Sequence, residues 1–197
     1  MDIPIIYEDN YLLIVDKPSG LLTVPTPKNE GRTLTSILGA YPCHRLDRDT
    51  SGLIIYAKTK SVQQKMMEEF KSRKVKKTYT AFVQGLPKEA QGVIRNRIEG
   101  KYAQTRYKVI EKRRDFAIVE AAPLTGRTNQ IRIHFKSIGH PILGETKYAF
   151  RRDFKIKAKR LMLHAARLEF MHPVTGKVIQ LNCDLPVDLK AFLDKNS

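Results

Sequence analysis

The sequence predicts an α+β fold, a mixed and mostly antiparallel sheet flanked by helices. Three observations carry this reading. Strand-like segments recur along the chain, helical periodicity is confined to a few scattered stretches, and no repeat, low-complexity tract or long linker interrupts the 197 residues.

Residues 3–8 and 11–16 read as two apolar strands around an Asp9-Asn10 turn. Lys17-Pro18-Ser19-Gly20 breaks the chain, and Pro25 and Pro27 keep residues 21–27 extended. Residues 33–39 hold one or two helical turns, and 52–57 form an apolar strand of the buried kind. Ser61 is expected to cap a helix with Val62, Met66 and Phe70 on one face. In 77–85, Thr78, Thr80, Phe82 and Gln84 alternate with Tyr79, Ala81 and Val83, which defines a strand. Further strands are expected at 92–98, 104–111 and 116–122. Ile131, Phe135 and Ile138 mark a helix over 129–139 ending at Gly139. A hairpin pairs 161–170 with 177–183 around His172-Pro173-Val174-Thr175-Gly176, and 186–194 closes the chain as a helix.

Composition excludes several classes. No apolar run reaches membrane-spanning length, and the start shows no secretory pattern, so a cytoplasmic protein without a membrane role is expected. Cys43 and Cys183 are too few and too distant for a metal clip or a disulfide framework, and they read as small packing thiols. Charge is the informative quantity: 36 Lys+Arg against 20 Asp+Glu give +16, the footprint of a polyanion binder. Basic residues cluster in 71–77, in Lys112-Arg113-Arg114 and in 151–160, where Asp153 is the only acid. Such runs suit phosphate contacts, which give affinity without sequence preference.

Familiar catalytic signatures fail. Residues 139–144 have the glycine spacing of a phosphate loop, but Glu145 stands where lysine is required. The five histidines show no tight pair with metal-ligand spacing. Asp47 and Asp49 form a D-x-D, yet Arg45 and Arg48 flank them, so cation pairing outweighs metal binding. What remains is the polar segment 44–53, set before an apolar strand. A carboxylate beside arginines stays ionised and can serve as a nucleophile or a base. A capping aspartate in a turn before a strand explains the same residues.

That segment, His44-Arg45-Leu46-Asp47-Arg48-Asp49-Thr50-Ser51-Gly52-Leu53, resembles the HRLD-x-x-TSGL motif of the RluA family of pseudouridine synthases. Four further segments follow in that family's order: 9–20 with its KPSG turn, 77–85 with the K-x-Y-x-A-x-V-x-G pattern, 126–134 with the GRTHQIRxH pattern, and 139–145 continued by 163–173. The resemblance covers residues 5–186 and implies the pseudouridine synthase fold with a central active-site cleft. It implies isomerisation of uridine to pseudouridine in rRNA or tRNA, with no cofactor and no metal.

The resemblance also implies roles. Asp47 matches the catalytic aspartate, Tyr79 the tyrosine that packs on the target base, and Arg132 the arginine that pairs with the aspartate. Arg45 matches the residue that fills the gap left by the flipped base, and His44, Thr50, Lys77, Arg127, Asn129 and Gln130 are the accompanying RNA-binding candidates. Two features depart from the pattern: Asn129 stands where the family usually has histidine, and no accessory RNA-binding domain is expected before Ile5. The expectation is therefore one catalytic domain over 1–197, monomeric, choosing a structured RNA stem-loop by its own surface.

Overall fold

A computed structural model describes residues 2–27 and 31–196; Met1, part of the start read as lacking a secretory pattern, lies outside them. The chain divides into two compact units: Met1–Lys77 with Ala165–Cys183, and Thr78–His164 with Asp184–Ser197.

The first unit is built on β1 (Ile5–Glu8), β2 (Leu12–Lys17), β4 (Ser51–Ala57) and β9 (Leu163–Met171), hydrogen-bonded in that order. β10 (Val178–Asn182) pairs with β9, and the two-residue β3 (Tyr41–Pro42) pairs with the end of β4. Antiparallel β2 and β4 run in register from Leu12 opposite Ala57 to Lys17 opposite Gly52. Every residue of β4 is buried, as its unbroken apolar run requires of a strand covered on both faces.

On one face of this sheet, Leu12, Ile14, Leu53, Ile55 and Phe170 form a core with Val62 and Met66 of helix α2 (Lys60–Lys71). Thr59, not Ser61, caps α2: its hydroxyl accepts the Val62 N–H at 3.3 Å from an extended backbone. The cap must sit three residues before the N–H it satisfies, and Ser61 is already inside the helix. Cys43 packs into this core, where burial pushes its thiol up to about 12, and Cys183 is half-buried. Helix α1 (Leu34–Leu38) is short and capped by Thr33.

The second unit contains the strand order β5 (Lys76–Gln84), β8 (Phe116–Pro123), β7 (Thr105–Lys112), β6 (Gln91–Ile94), each pairing with the next antiparallel. β6 stops at Ile94, short of the expected 98; beyond it Ile98 and Lys101 form only an isolated bridge across a turn at Glu99 and Gly100, both with positive φ. Helix α3 (Gln130–Ser137) sets Phe135 against Tyr107 of β7, with ring centroids 5.8 Å apart. Phe192 of α4 (Val187–Lys195) stacks on Phe82 and Phe116, at 6.0 and 5.6 Å. Such aromatic contacts add to area burial in fixing a helix on a sheet. The hairpin, the helix over 129–139 and the closing helix match the sequence expectation; β3 and a one-turn 3-10 helix at Arg151–Asp153 do not appear in it.

Candidate active site

Asp47 lies in the first unit, on the loop entering β4, and is half-buried. Fully buried Lys17 ends β2 and donates its ammonium to the carbonyls of Pro18, Leu21 and Arg48, at 2.8, 2.8 and 2.9 Å. The neighbouring turn adds Gly20 N–H to the Arg48 carbonyl at 2.9 Å and the Ser19 hydroxyl to the Asp49 carbonyl at 2.7 Å. Thr23 accepts the Leu46 N–H at 3.2 Å and donates to the Leu46 carbonyl at 2.9 Å. Thr50 N–H bonds the Asp47 carbonyl at 3.2 Å. The backbone is thus held at Leu46, Asp47, Arg48 and Asp49, which removes the freedom a catalytic side chain must not have.

Gly52 is required behind this loop. Its φ is +111°, and a Cβ there would collide with the Ala165 backbone. Arg45 and Arg48 are exposed, whereas Thr50 is buried with its hydroxyl unpaired among the described residues. His44 accepts the Ile55 N–H through Nε2 at 3.0 Å and stacks on Phe70 with centroids 4.6 Å apart. Burial, with the nearby Lys77 charge, lowers its pKa to about 3, so the ring is neutral and has no cation to offer a phosphate. Half-buried Lys77 lies over the Phe70 ring at 5.5 Å, and burial lowers its pKa.

Tyr79 and Arg132 belong to the second unit. Tyr79 is buried on β5, opposite Ala121 of β8. Arg132 is 8% exposed on α3 and forms a two-pronged pair with Glu145: Nε to Oε2 at 2.7 Å and Nη2 to Oε1 at 2.8 Å. Glu145 Oε1 also accepts the N–H groups of Lys147 and Tyr148, at 2.7 and 3.2 Å. Burial alone would raise the Glu145 pKa, but the Arg132 hydrogen bonds and these N–H groups outweigh it and hold the carboxyl below its usual range.

Asn129 takes the left-handed conformation, φ 53°, which asparagine tolerates better than most residues. Its Oδ1 accepts Arg132 Nη1 at 3.0 Å and its Nδ2 donates to the Tyr148 hydroxyl at 2.8 Å. The Tyr148 ring lies 5.4 Å from the guanidinium carbon. A histidine is therefore not needed to tie this position to Arg132.

Gln130 anchors the start of α3. Its Oε1 accepts Thr125 Oγ1 at 2.6 Å and the Arg127 N–H at 3.0 Å, and its Nε2 donates to the Gln104 carbonyl at 2.9 Å and Thr105 Oγ1 at 3.0 Å. All hydrogen-bonding positions of the amide are filled inside the protein. His134, one turn on, bonds Thr105 Oγ1 at 2.8 Å and the Asn96 carbonyl at 3.0 Å. Arg127 is half-buried and donates Nε to the Tyr102 carbonyl at 3.1 Å. Sequence reasoning passed over Lys17, Tyr148 and Glu145; the signal for Glu145 was an acid directly after a glycine turn in a strongly basic chain.

Among the described residues no group of His, Cys, Asp and Glu side chains is arranged to hold a metal ion, and no helix is long and apolar enough to cross a membrane. The first unit thus offers an aspartate on a clamped loop, a group type that stabilises charge built on a sugar, and the second a buried, carboxylate-braced arginine.

A family model described as RNA pseudouridylate synthase matches residues 11–137. The dual-specificity RNA pseudouridine synthase RluA of Yersinia pestis is 38% identical over 91% of this chain and 98% of its own length. Its Escherichia coli K12 counterpart is 40% identical over 87% and 88%. The human RNA pseudouridylate synthase domain containing 4 superposes with a TM-score of 0.82 at 25% identity, covering 98% of this chain and 92% of that one. The fold and the matched motifs define an RNA pseudouridine synthase, an isomerase acting on RNA. Within that class, the chain belongs to the RluA family.

Proposed function

We propose that the chain converts uridine to pseudouridine in the stem-loops of rRNA or tRNA, with Asp47, Tyr79 and Arg132 carrying the reaction. The observation that carries this reading is the Asp47 loop, clamped at four successive residues by Lys17, Ser19, Gly20, Thr23 and Thr50 within a motif the family shares.

The reaction breaks the bond from ribose C1′ to uracil N1, turns the base, and joins C1′ to C5; the C5 hydrogen leaves as a proton and N1 gains one. Breaking the glycosidic bond builds positive charge on the sugar, which the Asp47 carboxylate stabilises or traps. The resemblance gives Arg132 the role of its cationic partner. Tyr79 offers an aromatic face that retains the detached base. Extruding the uridine costs a few kcal/mol, and Arg45 takes the place it vacates in the stack. Lys77, Arg127, Asn129 and Thr50 serve RNA binding directly, while His44 and Gln130 serve it by holding their elements.

The relatives named dual-specificity RluA support rRNA and tRNA as substrate classes. We read the 197 residues as one catalytic domain, monomeric and cytoplasmic, and in need of no metal or cofactor. RNA tritiated at uracil C5 provides the test. Release of label to water is expected from the purified protein alone, and no release from any cellular RNA pool defeats the proposal.

A further inference from the structure

The basic segment 151–160 has no part in the chemistry above, and the residue just before it, Phe150, is 65% exposed, the most exposed of the large aromatic side chains among the described residues. A lone exposed apolar residue is ordinary. Three features set Phe150 apart.

First, the guanidinium carbon of Arg152 lies 5.2 Å from the Phe150 ring centroid, within cation–π range. Second, the ring's backbone is anchored. Phe150 N–H donates to Asp153 Oδ2 at 2.9 Å, and the same oxygen accepts Lys136 Nζ at 2.8 Å. Lys136 stands one helical turn beyond Arg132 on α3, so both side chains leave the same face of the helix. Tyr148, two residues before Phe150, is the ring packed on Arg132. Third, the chain beyond is a charged rail. Lys155, Lys157 and Lys159 are exposed, while Phe154, Ile156, Ala158 and Arg160 between and after them are half-buried. The far end is tied down by Arg160, which grips Asp188 at 2.6 and 3.0 Å.

An anchored ring bearing a stacked guanidinium at the head of a row of exposed cations is the composition of a single-strand platform. Bases stack on aromatic faces and phosphates follow the cations. We propose that Phe150 and Arg152 stack an unpaired nucleobase of the RNA substrate, and that Lys155, Lys157 and Lys159 follow the adjoining phosphates. This rests on the RNA-binding part of the proposed function and makes the segment a selector for substrates with an unpaired nucleotide near the target uridine.

The chain has no tryptophan, so Phe150→Trp installs a single indole reporter. The probes are octauridylate and an eight-residue abasic ribose-phosphate strand. Octauridylate should quench the indole saturably and the abasic strand should not. Phe150→Ala should bind fluorescein-labelled octauridylate at least about fivefold more weakly than the unaltered protein, while Phe150→Tyr keeps its affinity. Equal quenching by both strands, or unchanged affinity in Phe150→Ala, overturns the proposal. Neither measurement needs turnover. Failed tritium release would strike the catalytic reading alone, whereas full release with an inert Phe150 would strike the platform alone.

Discussion

Arg132 and Glu145 form a buried two-pronged ion pair, with the Glu145 side chain wholly enclosed and the arginine also bonded to Asn129. The carboxylate balances the guanidinium and fixes its plane, so Arg132 is set before RNA arrives. Glu145→Gln leaves that cation buried without its counter-charge, which costs about 3–5 kcal/mol. Urea titration should show the loss, and tritium release should fall with it. Glu145 has a folded-state pKa below its ordinary 4.5, so its contribution is complete above that value and is lost as pH falls through the lower folded one. The unaltered protein should therefore lose more stability than Glu145→Gln on acidification below 4.5.

Asp47→Asn keeps the size of the side chain and removes its charge. Tritium release should disappear while affinity for a stem-loop stays within about tenfold, equivalent to ~1.4 kcal/mol. A substituted protein that still releases label would show that another group carries the chemistry.

Lys17→Met deletes an ammonium that serves three carbonyls. Methionine fills similar space and donates nothing, so the part-buried carbonyls of Pro18, Leu21 and Arg48 lose a partner. A loss of about 3 kcal/mol or more is expected in chemical denaturation, from desolvated groups at about 1–3 kcal/mol each. Release by the folded fraction should fall too, because Arg48 adjoins Asp47.

His44 gives a separate pH signature. Its ordinary pKa is 6.5 and its folded value about 3, so the unfolded chain takes up a proton that the folded ring refuses. Stability is complete above 6.5 and declines as pH falls from there towards 3, by at most about 1.4 kcal/mol per unit. Replacing His44 with alanine should flatten that part of the stability–pH curve. In the unaltered protein, the imidazole resonances assigned to His44 should not titrate between pH 5 and 8.

RNA affinity should fall steeply as salt is raised, since each phosphate contact releases counterions. Removing the charges of Lys155, Lys157 and Lys159 together should make a plot of log affinity against log salt shallower by about 2–3 units. An unchanged slope would place the phosphate contacts elsewhere.

Strand and helix positions were legible because burial imposes a period: the apolar run of β4 and the Val62, Met66, Phe70 spacing of α2 both survive in the structure. What escaped were polar residues whose role depends on partners distant in sequence. Glu145 looked like a failed phosphate loop because its meaning lies in Arg132, thirteen positions earlier. Lys17 read only as part of the Lys17-Pro18-Ser19-Gly20 break, since no local pattern shows that Arg48 will present its carbonyl. Asn129 looked like a loss relative to the family, yet its left-handed backbone and two side-chain bonds supply an alternative brace. The cap at Thr59 in place of Ser61 is a smaller error of the same kind, since two hydroxyl residues two positions apart can both cap and only the start of the helix decides between them.

The order of the chain also governs its birth. Strand β4 takes β9 as a neighbour, and β9 and β10 are synthesised only after nearly all of the second unit. A polypeptide still on the ribosome with its length short of Leu163 displays an apolar strand without that partner, an edge open to association with other chains. Slow translation or premature termination upstream of β9 should therefore leave material that aggregates, and guarding that edge until β9 emerges becomes a task for the chaperones that meet nascent proteins.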